Sequence, residues 1–486
     1  MDMPFLRGLI QYAQDNVLPF HTPGHKQGRG MYEPLREFLG RAAEYDVSDV
    51  LSSQKFNDSW SEALRAAEAR AAEIFGARAT RFMINGTTGA VHIMLIAARM
   101  HGFTHVVMPR SAHLSVYGGL LLADMQPVYV ADGAVDGWQL SGPPDVTAYA
   151  DAEVHLDHPE SAVVLVTYPN YYGIGVDLVP LSERLKPQGR WLLVDEAHGP
   201  HFRFHPALPR PALEQGADLV AQSTHKVLGA LTQASMLHVG SERVPLACVA
   251  RADFWLQSTS PSALLLASLE AAGEQMAEAG EALWQQAIER AETAARRIES
   301  HAGMAVLRPE DVAPAYVMDP TRLVVRTADA GWSGVAAARR LREAGIQVEM
   351  ADPWHIVALI TWADDDETVS GLIAGLTNLA REKPDSAERP PAAAMPHRPV
   401  PKVRLRPREA ALAPARRVPL REAIGHVSAD VVCPYPPGIP ILCPGEEIDG
   451  DIVEYLLHVH SSAFELRGTC DPDLSHIHIV QEGTCR

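Results

Sequence analysis

Between Trp60 and Ile360 the chain alternates between two hydrophobic periods. Ser61–Phe75, rich in Ala, Glu and Arg, and Thr88–Arg99 repeat their apolar positions at helical spacing. Short apolar runs follow at His105–Pro109, Gln126–Val130, Ala162–Thr167, Trp191–Asp195, Asp218–Ala221 and Ala234–Val239, each bounded by turn residues. Unbroken apolar runs of this length predict parallel strands buried on both faces. The alternation predicts an α/β unit with its site at the carboxyl ends of the strands. Pro261 opens a long helical segment to about Ser300, and strand-like Leu323–Thr327 and Ile356–Thr361 with helical Trp332–Ala344 and Val369–Arg381 predict a smaller α/β unit. Lys383–Arg417, dense in Pro, Ala and Arg, reads as a linker. From Val418 a small α+β C-terminal domain is expected, with a helix near Asp451–His460. The expected division is an N-terminal segment (1–60), a large α/β domain (61–270), a small α/β domain (271–382), a linker (383–417) and a C-terminal domain (418–486).

A length of 486 residues exceeds what one core organises and fits this division. Met1–Pro19 is interrupted by Asp2, Arg7, Gln11, Gln14 and Asp15, which is no signal peptide, and no apolar run is long enough to cross a bilayer, so a cytoplasmic protein is expected. The net charge of −18 argues against nucleic acid as a partner. It suits cationic substrates, although an acidic surface also simply aids solubility. Five cysteines, an odd number without C-x-x-C pairs, argue against both a disulfide framework and a zinc site.

The chemistry concentrates at the ends of two predicted strands. LLVDEAHG delivers Asp195, and ADLVAQSTHK delivers Ser223, His225 and Lys226. A lysine amine that can condense with an aldehyde, beside a carboxylate that can keep a pyridine nitrogen protonated, is the requirement of pyridoxal phosphate (PLP) chemistry. The DEAH string also names a helicase box, but that reading requires an upstream P-loop, and G-x-x-x-x-G-K-[ST] is absent. FMINGTTGAVHIM places Thr87, Thr88 and Gly89 between a strand and a helix start, where backbone N–H groups and hydroxyls form an anion site. A plainly capped helix would look the same. Ser223 and His225 are further phosphate donors. His113 follows a strand and could stack on a pyridine face, and Ala197 is small enough to lie against the opposite face. His198 could reach a substrate carboxylate or Asp195.

Taken in order along the chain, the motifs resemble those of the bacterial ornithine/lysine/arginine decarboxylases, PLP enzymes of fold type I (aspartate aminotransferase-like). They are PFHTPGHKQG (19–28), NGTTGA (85–90), PRSAHLS (109–115), VTYPNYYGIGVDL (166–178), VDEAHG (194–199), STHK (223–226), QSTSPSALLLASLE (257–270) and PYPPGIPILCPGE (434–446). The early position of the lysine resembles the short form of the family, without an additional N-terminal domain. The resemblance implies PLP bonded to Lys226, paired with Asp195 and stacked by His113, with Thr87, Thr88, Gly89, Ser223 and His225 around the phosphate. It implies that Thr259 and Ser260 reach the cofactor of a partner subunit, in a homodimer with shared sites or a larger assembly of such dimers, to which residues 1–60 contribute. Glu446 becomes a candidate partner for the distal cation of an amino acid substrate, although an acid at a helix start reads equally well. The implied activity is α-decarboxylation of arginine, lysine or ornithine to the amine and CO2, with Lys226, Asp195, His113 and His198 as the catalytic set. Tyr45–Trp60 departs from the family pattern and leaves open a modified or less basic substrate. Transamination, oxidative deamination and a catalytically silent homologue are the other readings.

Overall fold

The computed structural model describes residues 3–15, 17–48, 60–154, 156–391, 398–435, 438–461 and 465–481. Most of the divergent segment Tyr45–Trp60, from 49 to 59, lies outside these residues.

The large domain is built on seven strands: β1 (Ala79–Met83), β2 (His105–Pro109), β3 (Gln126–Val130), β4 (Ala162–Thr167), β5 (Leu192–Asp195), β6 (Leu219–Gln222) and β7 (Ser235–Val239). Their order across the sheet is β1-β7-β6-β5-β4-β2-β3. Strands β3, β2, β4, β5 and β6 are parallel neighbours. The continuous apolar runs have a direct cause. Val164, Val166, Leu192 and Val194 belong to the core on one face, whereas Val163, Leu165 and Leu193 belong to the core on the other. Each such side chain contributes roughly 1.5–3 kcal/mol by burial. The expectation of parallel strands fails at Ala234–Val239, because β7 runs antiparallel to both β6 and β1. The connection from β6 to β7 holds only the four-residue helical turn Thr224–Val227. It cannot carry the chain back along the sheet as a crossover helix would.

The helix Ala263–Ala302 joins the two domains. At 40 residues it is about 60 Å long. Leu266, Leu269 and Trp284 belong to the large-domain core, and Ala291, Ala294 and Ile298 to that of the small domain. The small domain carries strands Arg322–Arg326, His355–Leu359 and Met350–Ala351, paired antiparallel throughout, under helices Gly334–Glu343 and Asp366–Arg381. It is therefore an antiparallel α+β unit, not the α/β unit expected.

The presumed linker contains structure as well. Pro407–Leu412 is helical, and Ala415–Pro419 pairs with His476–Val480, so the C-terminal unit begins inside 383–417. The pattern hid this strand because it has a single pairing partner and only Val418 is buried in it, a setting that tolerates Arg and Pro. Among the described residues no helix is long and apolar enough to cross a membrane.

Candidate active site

The carboxyl edge of β4, β5 and β6 brings the predicted residues together. Asp195 ends β5 and is 4% exposed, flanked in register by Thr167 and Ala221. Its Oδ1 accepts the N–H of Ala197 at 3.2 Å, and burial pushes its carboxyl up against the opposing effect of Lys226. Glu196 turns the other way. It is fully buried, accepts from Gln222 Nε2 at 2.7 Å and the Ala212 N–H at 2.8 Å, and burial lifts its carboxyl to about 8. The DEAH string is thus not a paired-acid metal site.

Lys226 sits on the short turn after β6. Its Nζ lies 2.9 Å from His198 Nε2 and 5.6 Å from the centre of the Tyr171 ring. Burial lowers the Lys226 ammonium, with Asp195 and Glu349 opposing. His198 is driven well below the usual histidine range, first by burial and then by Lys226 and Arg322.

The helix Gly86–His101 starts beside the lysine turn. Asn85 at its N-cap makes no side-chain capping bond, so the first N–H groups remain open to an anion. Gly89 is required, since a Cβ there would meet Asn85 Cβ at 2.8 Å. Three hydroxyls tie this turn to the lysine strand. Ser235 donates to the Gln222 carbonyl at 2.6 Å, so it accepts from Thr87 at 2.7 Å, and Thr87 accepts from Ser223 at 2.6 Å. Thr88 stays exposed at the helix start. His225 gives its Nδ1–H to the Ala234 carbonyl at 2.8 Å, which leaves Nε2 as the available atom.

His113 caps the helix Leu114–Ala123, its Nδ1 accepting the Ser115 N–H at 3.1 Å, and burial brings its imidazole down to about 4. The C-terminal domain closes on it. The Leu114 N–H donates to the Gly438 carbonyl at 2.9 Å, and a Cβ on Gly438 would come within 3.1 Å of His113 Nε2. A cavity of about 270 Å³ opens alongside, lined by Thr88, His92 and His113 and, from the C-terminal domain, Val431 and Cys443. Thr259 and Ser260 are exposed, next to exposed Phe254 (76%) and Trp255 (59%).

Glu446 requires correction as a candidate substrate residue. It is 1% exposed, and its Oε2 accepts from Arg110 Nη2 at 3.1 Å and from the Cys443 N–H at 2.7 Å. A carboxylate already neutralised by a buried guanidinium is a structural tie. Five residues absent from the candidate set complete the site. Tyr171 lies 4.6 Å from the His198 ring, and Arg322 touches His198. Glu349 is an exposed carboxylate close enough to act on Lys226, His225 and Arg322. Thr167 carries a buried hydroxyl without a protein partner, as does Thr224. Tyr171, Thr167 and Thr224 lay within quoted motifs; Arg322 and Glu349 gave no local signal.

The donor set fits PLP: a buried amine, a buried carboxylate on the neighbouring strand, an uncapped helix start for the phosphate, and buried hydroxyls left unpartnered by protein. The comparisons with known proteins agree. Residues 3–368 match the model of the Orn/Lys/Arg decarboxylase major domain, and residues 392–471 that of its C-terminal domain. The arginine decarboxylase of Bacillus subtilis is 31% identical over 99% of this chain and 98% of that protein. The constitutive lysine decarboxylase of Escherichia coli is 24% identical over 93% of this chain and 77% of that protein. The crystal structure of the Francisella novicida lysine decarboxylase superposes with a TM-score of 0.84 at 19% identity, covering 99% of this chain and 81% of the other, and shares its fold. The fold is that of PLP enzymes of type I, and the chain belongs to the Orn/Lys/Arg decarboxylase family as a PLP-dependent decarboxylase of basic amino acids.

Proposed function

We propose that the chain α-decarboxylates arginine, releasing CO2 and the corresponding amine. The observation that carries the reaction is the buried Lys226 amine, 2.9 Å from His198 and opposed electrostatically by Asp195, beside an uncapped helix start. Arginine is favoured because four relatives named arginine decarboxylases are 31–33% identical over at least 91% of this chain, against 24% for those named lysine decarboxylases.

Bound PLP supplies an electron sink for the pair left at Cα when the carboxylate departs. Lys226 would hold the cofactor through its Nζ, the amine that the substrate amine replaces. Asp195, almost fully buried, holds a proton at the pyridine nitrogen through a charge interaction strengthened by desolvation. His113 and Ala197 would cover the two ring faces. The N–H groups of Thr87, Thr88 and Gly89 and the Thr88 hydroxyl would hold the phosphate, braced by the Ser223 and Thr87 hydroxyls, whose protons go to Thr87 and Ser235, and the phosphate charge favours a proton on His225 Nε2. Glu349 faces the distal cation of the substrate, where a carboxylate can pair a guanidinium through two parallel hydrogen bonds. Lys226 or His198 returns a proton to Cα. Thr259 and Ser260, exposed beside Phe254 and Trp255, complete the site of a second copy in a homodimer.

The test is CO2 release by PLP-loaded protein from arginine, lysine, ornithine and neutral amino acids, with products identified by mass. Arginine is expected to give the highest kcat/KM. A preference for lysine or ornithine refutes the substrate assignment, and a keto acid product refutes decarboxylation.

A further inference from the structure

His198 lies between two basic side chains, Lys226 and Arg322. Its Nε2 is 2.9 Å from Lys226 Nζ, and its Nδ1 is 3.3 Å from Arg322 Nη1, while Arg322 Nη2 lies 3.5 Å from the His198 carbonyl. Arg322 begins the first strand of the small domain, is 1% exposed and forms no ion pair among the described residues. Gly173 leaves room for it, since a Cβ there would fall 2.9 Å from Arg322 Cβ.

A guanidinium has five donors and no acceptor. The His198 nitrogen facing Arg322 must therefore offer its lone pair, and the ring proton belongs on Nε2, towards Lys226. A hydrogen bond from Nε2–H requires Nζ to accept, which only an uncharged amine can do. That is the form of lysine able to attack an aldehyde.

We propose that Arg322 is a positioning residue that fixes His198 as its Nε2–H tautomer and thereby presents Lys226 as a neutral amine for cofactor attachment. Lys226, Arg322, His113, His225 and the Tyr171 ring lie around His198, and among the described residues no carboxylate is hydrogen-bonded or ion-paired to it. The groups facing Lys226 are Asp195, Glu349, Arg322 and the Tyr171 ring. The proposal rests on Lys226 being the attachment lysine.

The experiment is PLP attachment to apoprotein, followed across pH by absorbance and by borohydride trapping with peptide mapping. Wild-type trapping tests the underlying reading first, because label on another lysine refutes that reading before any variant is made. In Arg322→Met, Nδ1 is free to carry the proton, Nε2 then accepts from Nζ, and the ammonium is stabilised. The pH of half-maximal attachment rate should rise by about one unit or more. Arg322→Lys, which keeps a donor and a charge, should restore the wild-type profile. Arg322→Met/His198→Gln should retain less than half of the shift. An equal shift in the single and double variants would reduce Arg322 to a through-space charge and overturn the proposal. So would an unchanged profile with a raised KM, which would make Arg322 a contact for the substrate carboxylate. Should Arg322→Met not fold, ¹⁵N spectra of the histidine-labelled wild-type apoprotein decide, since a proton on His198 Nδ1 refutes the assignment.

Discussion

Replacing Glu446 by Gln separates a structural tie from a substrate contact. Arg110 and Glu446 are each 1% exposed. Arg110 Nη1 donates to Tyr117 Oη at 2.6 Å and to the Pro440 carbonyl at 2.8 Å. Its Nη2 donates to the Ile441 carbonyl at 2.8 Å and to Glu446 Oε2 at 3.1 Å. The guanidinium thus pins the C-terminal loop to the end of β2. Glu446→Gln keeps the shape and an acceptor for the Cys443 N–H, but leaves the guanidinium buried without its counter-charge. Removing one partner of a buried pair costs about 3–5 kcal/mol, and the retained amide acceptor places this case near the lower value. At 1.36 kcal/mol per decade, about 3 kcal/mol corresponds to roughly two decades in the local opening equilibrium. Hydrogen exchange of peptides covering 438–448 should therefore accelerate by about that factor, with KM for arginine changed less than threefold. Arg110→Met/Glu446→Gln should recover part of the loss, because no uncompensated charge remains. Exchange unchanged within threefold together with a tenfold rise in KM would refute the structural assignment and return Glu446 to the substrate site.

Lys226→Ala should abolish CO2 release and leave PLP removable by dialysis, checked by absorbance after gel filtration. Glu349→Gln should raise KM for arginine at least tenfold with a smaller effect on kcat, as steady-state kinetics would read. His238 is fully buried between Thr80 and Gln222, and burial brings its imidazole down to about 3. With the unfolded value near 6.5, the unfolded chain binds more protons below that pH, so this stability is complete above pH 6.5 and falls as the pH drops from there towards 3. The loss is about 2 kcal/mol at pH 5, and His238→Gln should flatten that part of a chemical-denaturation profile between pH 7 and 5. If the proposed homodimer is built through Phe254 and Trp255, Phe254→Glu/Trp255→Glu should leave a monomer by light scattering and lower PLP affinity.

How much of this was legible in the sequence follows from the range of each interaction. β2 and β4 match their apolar runs residue for residue, because strands buried on both faces need no distant information to be recognised, and the half-buried edge strand β3 matches its run as well. The strand Ala415–Pro419 did not, since its exposed Arg416 and Arg417 carry no hydrophobic signature. Asp195, Lys226 and Thr87 could be read because strand ends and a helix start present them within short motifs, and the parallel sheet does the rest. The turn to an antiparallel β7 was invisible because local apolarity does not encode strand direction.

The same reasoning explains why Arg322 went unnoticed and Glu446 was offered to the substrate. Arg322 meets His198 across 124 positions, and Glu446 meets Arg110 across 336. In both cases the role belongs to a pair that only the packing of separate domains creates. An acid in the motif PGE looks available until its buried guanidinium is found, and an arginine at the start of a strand looks structural until the atom it faces is known. Residues that carry chemistry on the large-domain sheet can therefore be found by motif. Those that fix the protonation state of that chemistry come from the small domain, where a substitution leaves the motifs intact and shows itself in the pH profile.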